Sequence, residues 1–362
     1  MIHGKKLFEQ ALDMLERGML GEYKGIPINS MPAVSKMLCN LQRGTYYLVG
    51  GDTGSGKTTM VDQMFLFDPF TYINSEYNTN KYKLDILYFS YEITAVRKLI
   101  KFITKLLYNV TGKVYSLQHL LSMGDYHLTK DVYEAAIGLF HVMEPFLDVL
   151  EVYETPFTAT QFEYVIRRHL SLTGKFYKVK ETGEETYVAN DPSYYRFLIL
   201  DHVGLASAMG VTNLKGVIDD YSTILVKYRN MVNLSPVVVA QYNRDLSKAQ
   251  DDKPRPPKLS DFKETGKTQD DCNVAFGIYD PARYRVPEFM QYPIAPAPGT
   301  NEGFGDMFRS LHNLKARDGE TGWRKALVYH GALGHFIELP KPDVLSAGVK
   351  SISEYKILSG KV

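Results

Sequence analysis

The chain is short of cysteine, of net charge and of long apolar runs, and each shortage excludes something. Its two cysteines, Cys39 and Cys272, stand alone in 362 residues. They have neither metal-ligand spacing nor the density of a disulfide framework, so the expected setting is a reducing compartment. Lys and Arg number 42 against 41 Asp and Glu, a formal charge of +1. Any contact with nucleic acid must then rest on local positive charge. No apolar run approaches the ~20 residues that span a membrane. The amphipathic start MIHGKKLFEQALDML carries Glu9 and Asp13 and is not a signal peptide. Internal repeats, low-complexity tracts and a second domain of comparable size are missing too. What remains is enough chain to bury a sizeable core, as one large domain or a domain with appendages.

Residues 49–60, VGGDTGSGKTTM, contain G-x-x-x-x-G-K-T from Gly51 to Thr58. The preceding TYYLVGG reads as a buried strand ending at two glycines, and KTTMVDQMFLF as a helix start. Strand, glycine loop and helix N-terminus together form an anion trap. The expected cradle for a nucleoside triphosphate is Gly51, Asp52, Thr53, Gly54, Ser55, Gly56, Lys57, Thr58 and Thr59. Lys57 would reach the β- and γ-phosphates, and the Thr58 hydroxyl would ligate Mg²⁺.

Residues 4–20 place Leu7, Phe8, Ala11, Leu12, Leu15 and Met19 near one face at helical spacing. Such a helix either packs on its own domain or docks onto a neighbouring subunit. From residue 33 strands and helices alternate, which argues for a mainly parallel sheet covered on both faces. Strands are read at 84–92, 196–201, 236–242 and 273–280. Helices follow residue 92 and are read at about 115–145, 158–172 and 214–233, and a C-terminal β-hairpin turns at Asp318-Gly319. Two stretches look inserted: 174–193, read as an exposed hairpin, and the Pro- and Gly-rich 281–306, read as irregular. The resulting division is a linker helix to residue 21, a core over 22–339 and a tail from 340.

Four further positions carry chemistry. Asp201 ends the apolar strand FLILD, where a carboxylate beside the P-loop strand holds the Mg²⁺ water shell. Glu92 follows the strand in YFSYEIT and points into the crevice at the sheet's carboxyl edge, where it can deprotonate water attacking the γ-phosphate. It is equally placed as a first-turn acid of the next helix. Gln241 ends VVVAQ, a neutral group able to sense the γ-phosphate or simply to cap backbone. Lys315 and Arg317, two apart in LKARDG, share a strand face beside a tight turn. Arg317 suits a finger that neutralises the transferred phosphoryl group, worth ~10³–10⁵ in rate; a solvated basic hairpin is the other reading.

Taken together, GIP…LQRGTYYLVGGDTGSGKTT, LYFSYEI, FLILDHV, VVVAQYNRDL, RPPKLSDFKETGKTQDDCNVAFGIYD and LKARDG resemble, in order, the ATPase core of DnaB-type replicative helicases. The most discriminating stretch is PKLSDFKETGKTQDDCN, which looks like that family's DNA-facing loop followed by a buried strand. The resemblance implies an α/β, RecA-like P-loop ATPase using ATP and Mg²⁺, with Lys57 and Glu92 catalytic, Glu92 as base and Gln241 as γ-phosphate sensor. Lys315 and Arg317 would act in trans on the adjacent subunit's nucleotide in a homohexameric ring around single-stranded DNA. The helix before the core would pack on a neighbour. DNA contact would fall on Lys263, Glu264, Gly266 and Lys267, with residues 203–215 as a second channel loop.

Lysine stands at 263 where the family usually has arginine. Ala240 and Tyr242 replace the usual serine and leucine, and His202 stands where tyrosine is common. The family's N-terminal domain, which recruits primase and loader, has no counterpart, since about twenty residues precede the core. Primase or a loader is implied as partner without that route, and the location implied is a bacterial cytoplasm, or a host's if a phage encodes the chain. Two other readings share the fold: a RecA/RadA-like ATPase that remodels DNA without unwinding it, and an assembly protein whose ring state is set by nucleotide.

Overall fold

The computed structural model describes residues 4–180, 182–206, 214–243, 255–263, 266–296 and 303–344. The chain begins with helix α1 (Gly4–Met19) and the short α2 (Pro32–Met37), then strand β1 (Tyr47–Gly51). The helical run after the P-loop comprises α3 (Lys57–Asp62), a π-turn at Gln63–Phe67 and α4 (Asp68–Ile73). Pro69 has no N–H to give to the preceding turn, which is where the wider turn sits. Next come β2 (Lys83–Ser90), α5 (Ala95–Thr111), α6 (Leu117–Leu120), α7 (Lys130–Gly138), α8 (Phe140–Asp148), β3 (Leu150–Tyr153) and α9 (Ala159–Thr173). A hairpin of β4 (Gly174–Lys178) and β5 (Glu185–Ala189) leads to β6 (Tyr194–Asp201), α10 (Leu214–Val232) and β7 (Ser235–Gln241). The rest is α11 (Gly266–Asp271), β8 (Val274–Tyr279), the two-residue β9 (Glu288–Phe289) and β10 (Tyr292–Pro293), then β11 (Phe308–Ala316), β12 (Arg324–His330) and β13 (His335–Glu338).

Among the described residues nine strands form one sheet, in the order β13-β12-β11-β8-β1-β7-β6-β2-β3. The six from β8 to β3 are parallel, and β11, β12 and β13 add on antiparallel. Alternation along each strand builds two cores. Tyr88, Phe197, Ile199, Val237 and Val239 face one, with α3, α5 and α8. Leu87, Phe89, Leu198, Leu200 and Val238 face the other, with α9 and α10. The edge at β13 is covered locally: the Gln63 amide, in the π-turn, pairs with both the Phe336 N–H (2.7 Å) and its carbonyl (2.8 Å).

Two expectations change in detail. The helical stretch read over 115–145 is three helices, because Ser122 and Gly124 take left-handed backbone (φ 50° and 60°) and end the first of them. Residues 174–193 do form the expected hairpin. The described parts of 281–306, read as irregular, are anchored to the sheet. Tyr292, Ile294 and Phe304 pack on Phe308, Val328 and Leu339 in a third apolar cluster. No residue of α1 is buried, and its apolar stripe lies open, with Phe8 64%, Leu15 68% and Met19 84% exposed. No helix among the described residues is long and apolar enough to cross a membrane.

Candidate active site

β1 lies between β7 and β8, and its last residue, Gly51, is in register with Gln241 and Ile278. The loop that follows must turn back tightly onto α3. A Cβ on Gly51 would lie 2.5 Å from Ser55 Oγ and 3.0 Å from Lys57 Cγ, and Gly56 takes φ +95° immediately before the helix. These two glycines allow the close turn and put backbone N–H groups at the helix start. Lys57 Nζ donates to the Asp52 carbonyl at 2.9 Å. Burial lowers the Lys57 pKa, against the opposing charges of Glu92, Asp201 and Asp52. The lysine therefore sits among the acids named from sequence. Thr58, half-buried, follows it in the first turn, and Thr59 Oγ1 lies 3.5 Å from the Tyr329 hydroxyl.

Asp201 closes β6 and is fully buried. Its Oδ2 is 3.3 Å from both the Lys98 ammonium and the Tyr88 hydroxyl. Its Oδ1 has no partner among the described residues, and neither does the buried Ser55 Oγ on the loop opposite. Among the described residues no group of three or more His, Cys, Asp or Glu could hold a metal by itself. That donor set suits Mg²⁺, which is commonly held by one or two protein oxygens together with substrate phosphates. Thr58 and the orphaned Asp201 oxygen fit such an ion.

Glu92 lies two residues past Ser90, which is in register with Asp201, and the Tyr91 N–H donates to the Asp201 carbonyl at 2.7 Å. Its carboxylate is exposed at the crevice, and its charge acts on both Lys57 and His202. The His202 ring joins two strand ends. Nδ1 accepts from the Gly204 N–H at 3.0 Å, and Nε2 is 3.1 Å from the side-chain amide of Gln241. An accepting Nδ1 leaves the proton of a neutral ring on Nε2, where the Gln241 amide nitrogen lies; turning that amide over brings its oxygen to accept the proton. Burial lowers the His202 pKa and favours that neutral ring.

Three contacts to the P-loop come from residues that sequence reasoning missed. The Tyr284 hydroxyl donates to Asp52 Oδ2 at 2.7 Å, Arg283 Nη1 to the Thr53 carbonyl at 2.7 Å, and Arg309 Nε to the Ser55 carbonyl at 3.2 Å. Arg309 is itself paired with Asp280 at 3.0 Å. The stretch read as an irregular insertion thus grips the phosphate loop from outside. Nothing local in PARYR signals it, because the contacts join residues some 230 positions apart.

The loop resembling a DNA contact is tied to the same strand ends. Asp261 takes Arg255 in a bidentate pair at 2.7 Å and accepts from the Lys258 N–H at 2.6 Å. Phe262 lies where a Cβ on Gly50 would fall, 2.3 Å from its ring, and the Lys263 N–H donates to the Gln241 carbonyl at 2.9 Å. Lys263 is exposed. Gly266 opens α11 with no atom within 4 Å of a would-be Cβ. Lys267 is ion-paired with Asp271 at 3.2 Å. Glu264, and 207–213 of the second loop, lie outside the described residues.

Lys315 and Arg317 point the same way, as read from their spacing. Both donate to carbonyls at the end of α11: Lys315 to Gln269 (2.6 Å) and Asp270 (2.9 Å), Arg317 to Asp270. They stand at the far end of the sheet from their own P-loop. Leu311 is level with Ile278 and Gly51, whereas Lys315, past a bulge in β11, is level with Ala275, three residues or about 10 Å of strand away.

Asp201 does not end a strand beside the P-loop strand, because β7 lies between β1 and β6. A P-loop at the carboxyl end of a central parallel strand, with acids at the carboxyl ends of β6 and β2 across β7, defines a RecA-like ATPase fold. Neither a family model nor a curated protein matches the sequence. Solved structures match the fold. The ATPase domain of a DnaB-like helicase superposes with a TM-score of 0.64 over 92% of this chain and 98% of its own, at 15% identity. A DnaB-like replicative helicase, solved for its interactions with primase, gives 0.63 over 92% of this chain and 66% of its own, also at 15% identity. The fold is that of a DnaB-type ATPase core.

Proposed function

We propose that the chain is an ATP-dependent DNA helicase or translocase of the DnaB type, working as a homohexameric ring on single-stranded DNA. The observation that carries this reading is the double engagement of Gln241. Its side chain meets His202, next to Asp201, while its carbonyl anchors Lys263 of the candidate DNA loop. A change felt at the phosphates would reach the polymer contact through one residue.

In this reading Lys57 and the loop N–H groups hold the phosphates, and Thr58 and Asp201 hold Mg²⁺. The bound ion would neutralise charge on the phosphoryl group being transferred. Glu92, unpaired by any cation at ion-pair distance among the described residues, takes the proton of the attacking water. Gln241 senses the γ-phosphate. Lys315 and Arg317, too distant to reach their own nucleotide, complete the site of the next subunit. The open apolar stripe of α1 fits a helix that docks onto a neighbour, and Lys263, Glu264, Gly266 and Lys267 line the channel. A primase or loader partner belongs to the same reading.

The test is ATP turnover with and without single-stranded oligonucleotide, on the wild type and on Lys57→Ala. The reading requires DNA-stimulated turnover that the substitution abolishes. Unimpaired Lys57→Ala overturns the phosphate site, and wild-type turnover indifferent to DNA overturns the translocase.

A further inference from the structure

Four elements bring a set of charges together behind Asp201. Asp62 comes from the end of α3, Tyr88 from β2, Lys98 from α5 and Asp201 from β6. The Lys98 ammonium lies 3.4 Å from Asp62 Oδ2 and 3.3 Å from Asp201 Oδ2, so one cation is shared almost equally by two carboxylates. Its third neighbour is the Tyr88 hydroxyl, 2.6 Å away, which accepts from it and gives its own proton to Asp62 Oδ1 at 2.8 Å. Both aspartates and the tyrosine are buried, and the Lys98 side chain is 10% exposed. On its other side Lys98 borders an apolar cavity of about 180 Å³ lined by Leu66, Phe67, Leu99, Phe102 and Phe146. Among the described residues no further acid lies within ion-pair distance of Lys98, so its charge goes to the two aspartates.

The division matters because Asp201 is the candidate metal carboxylate. If Lys98 had only Asp201 to meet, the two would form a closed ion pair of zero net charge, with little left to attract a divalent cation. With Asp62 ionised the three charges sum to −1; burial pushes the Asp62 pKa up, against the Lys98 ammonium and the hydrogen bonds from Tyr88 and Lys98 that favour its charged form. The ammonium is also held off the Asp201 Oδ1 side, where the oxygen has no protein partner. We propose that Asp62 is a positioning residue for metal binding: it holds Lys98 between two carboxylates and so preserves on Asp201 the charge and the free oxygen that a divalent cation needs. The inference rests on the reading of Asp201 as the metal carboxylate.

A purely structural role for these residues predicts that each further substitution does further damage. The charge account predicts a reversal. Binding of a fluorescent ATP analogue to the full-length chain, titrated with Mg²⁺, reads it without recourse to turnover. Asp62→Asn keeps the shape, hands Lys98 to Asp201 alone, and should raise the half-saturating Mg²⁺ concentration about tenfold while metal-free analogue binding stays within about twofold. Asp62→Asn with Lys98→Met restores the net −1 and should return the value to within about threefold of wild type. Rescue by the second substitution supports the proposal. An unchanged half-saturation in Asp62→Asn, or a double variant no better than the single, overturns it.

Should Asp62→Asn fail to fold by circular dichroism, Lys98→Met alone decides the matter. Its half-saturation should be at or below the wild-type value, and a rise overturns the proposal. A wild type that binds the analogue equally with and without Mg²⁺ removes the Asp201 assignment and this proposal with it. A wild type that binds no analogue at all removes the phosphate-site reading itself.

Discussion

The main-chain N–H of Lys263 donates to the carbonyl of Gln241 at 2.9 Å, so the exposed lysine of a candidate DNA loop hangs from the strand end that faces the P-loop. The Asn243 N–H donates to the Asp261 carbonyl at 2.8 Å, and the two bonds together make the antiparallel bridge Tyr242↔Phe262. A loop fixed by two backbone hydrogen bonds to one strand end moves with that end instead of independently of it.

Gln241→Ala should therefore separate the two ends of the link. The backbone bonds persist, so affinity for single-stranded oligonucleotide should stay within about threefold of wild type. What should vanish is the difference in that affinity between ATP-analogue and ADP states. Fluorescence anisotropy of a labelled oligonucleotide in both states checks it; a preserved difference removes Gln241 from the coupling.

Arg317 and Glu92 should complement each other between chains. Arg317→Ala and Glu92→Gln are each expected to reduce turnover by a factor of ~10³ or more. Mixed before assembly, they should regain a measurable fraction, because some interfaces then carry an intact Glu92 facing an intact Arg317. A mixture as inactive as its parts would count against action in trans.

The packing of Phe262 on the P-loop strand offers a stability test. Gly50→Ala would put a methyl 2.3 Å from that ring, which is 3% exposed and stacked edge-on against Tyr242. Neither ring has room to yield, so the cost should be about 1–3 kcal/mol, read as a lower urea midpoint. Displacing Phe262 should also weaken oligonucleotide binding. Stability and binding both at wild-type level would show that the contact is not tight.

Stability should also depend on pH through His169. Its ring is held at 2.6 Å by Asp85 on one nitrogen and by Glu151 on the other, tying α9 to β2 and β3. Burial pulls its pKa down, but the hydrogen bonds and charges of the two acids outweigh burial and leave it raised. The contribution of a raised histidine is complete below its unfolded value of about 6.5 and is lost as pH rises through the folded one. The wild-type denaturation midpoint should therefore fall as pH rises from about 6.5, and His169→Gln should flatten that fall. A slope that survives the substitution assigns the pH dependence elsewhere.

What the sequence disclosed about this molecule is what its neighbours along the chain determine. The P-loop follows from a motif of eight consecutive residues, and the buried strand ending at Asp201, the hairpin at 174–193 and the shared direction of Lys315 and Arg317 from local patterning along the chain. The grip of Arg283 and Tyr284 on the loop does not, because PARYR has no periodicity and its partners Thr53 and Asp52 are remote. Asp62 and Lys98 were equally hidden: each reads as an ordinary charged residue on a helix, and only the crossing of α3 and α5 over β6 puts them against Asp201. The break of the 115–145 stretch escaped because Ser122, which has no special claim to left-handed backbone, adopts it.

The central claim is that nucleotide held between two copies of this chain moves loops that grip a polymer. Particle images of the purified chain with an ATP analogue and single-stranded DNA test it most directly. The account predicts a closed ring of six subunits with a strand through its channel. Single chains that turn over ATP at full rate, with or without oligonucleotide, would contradict it.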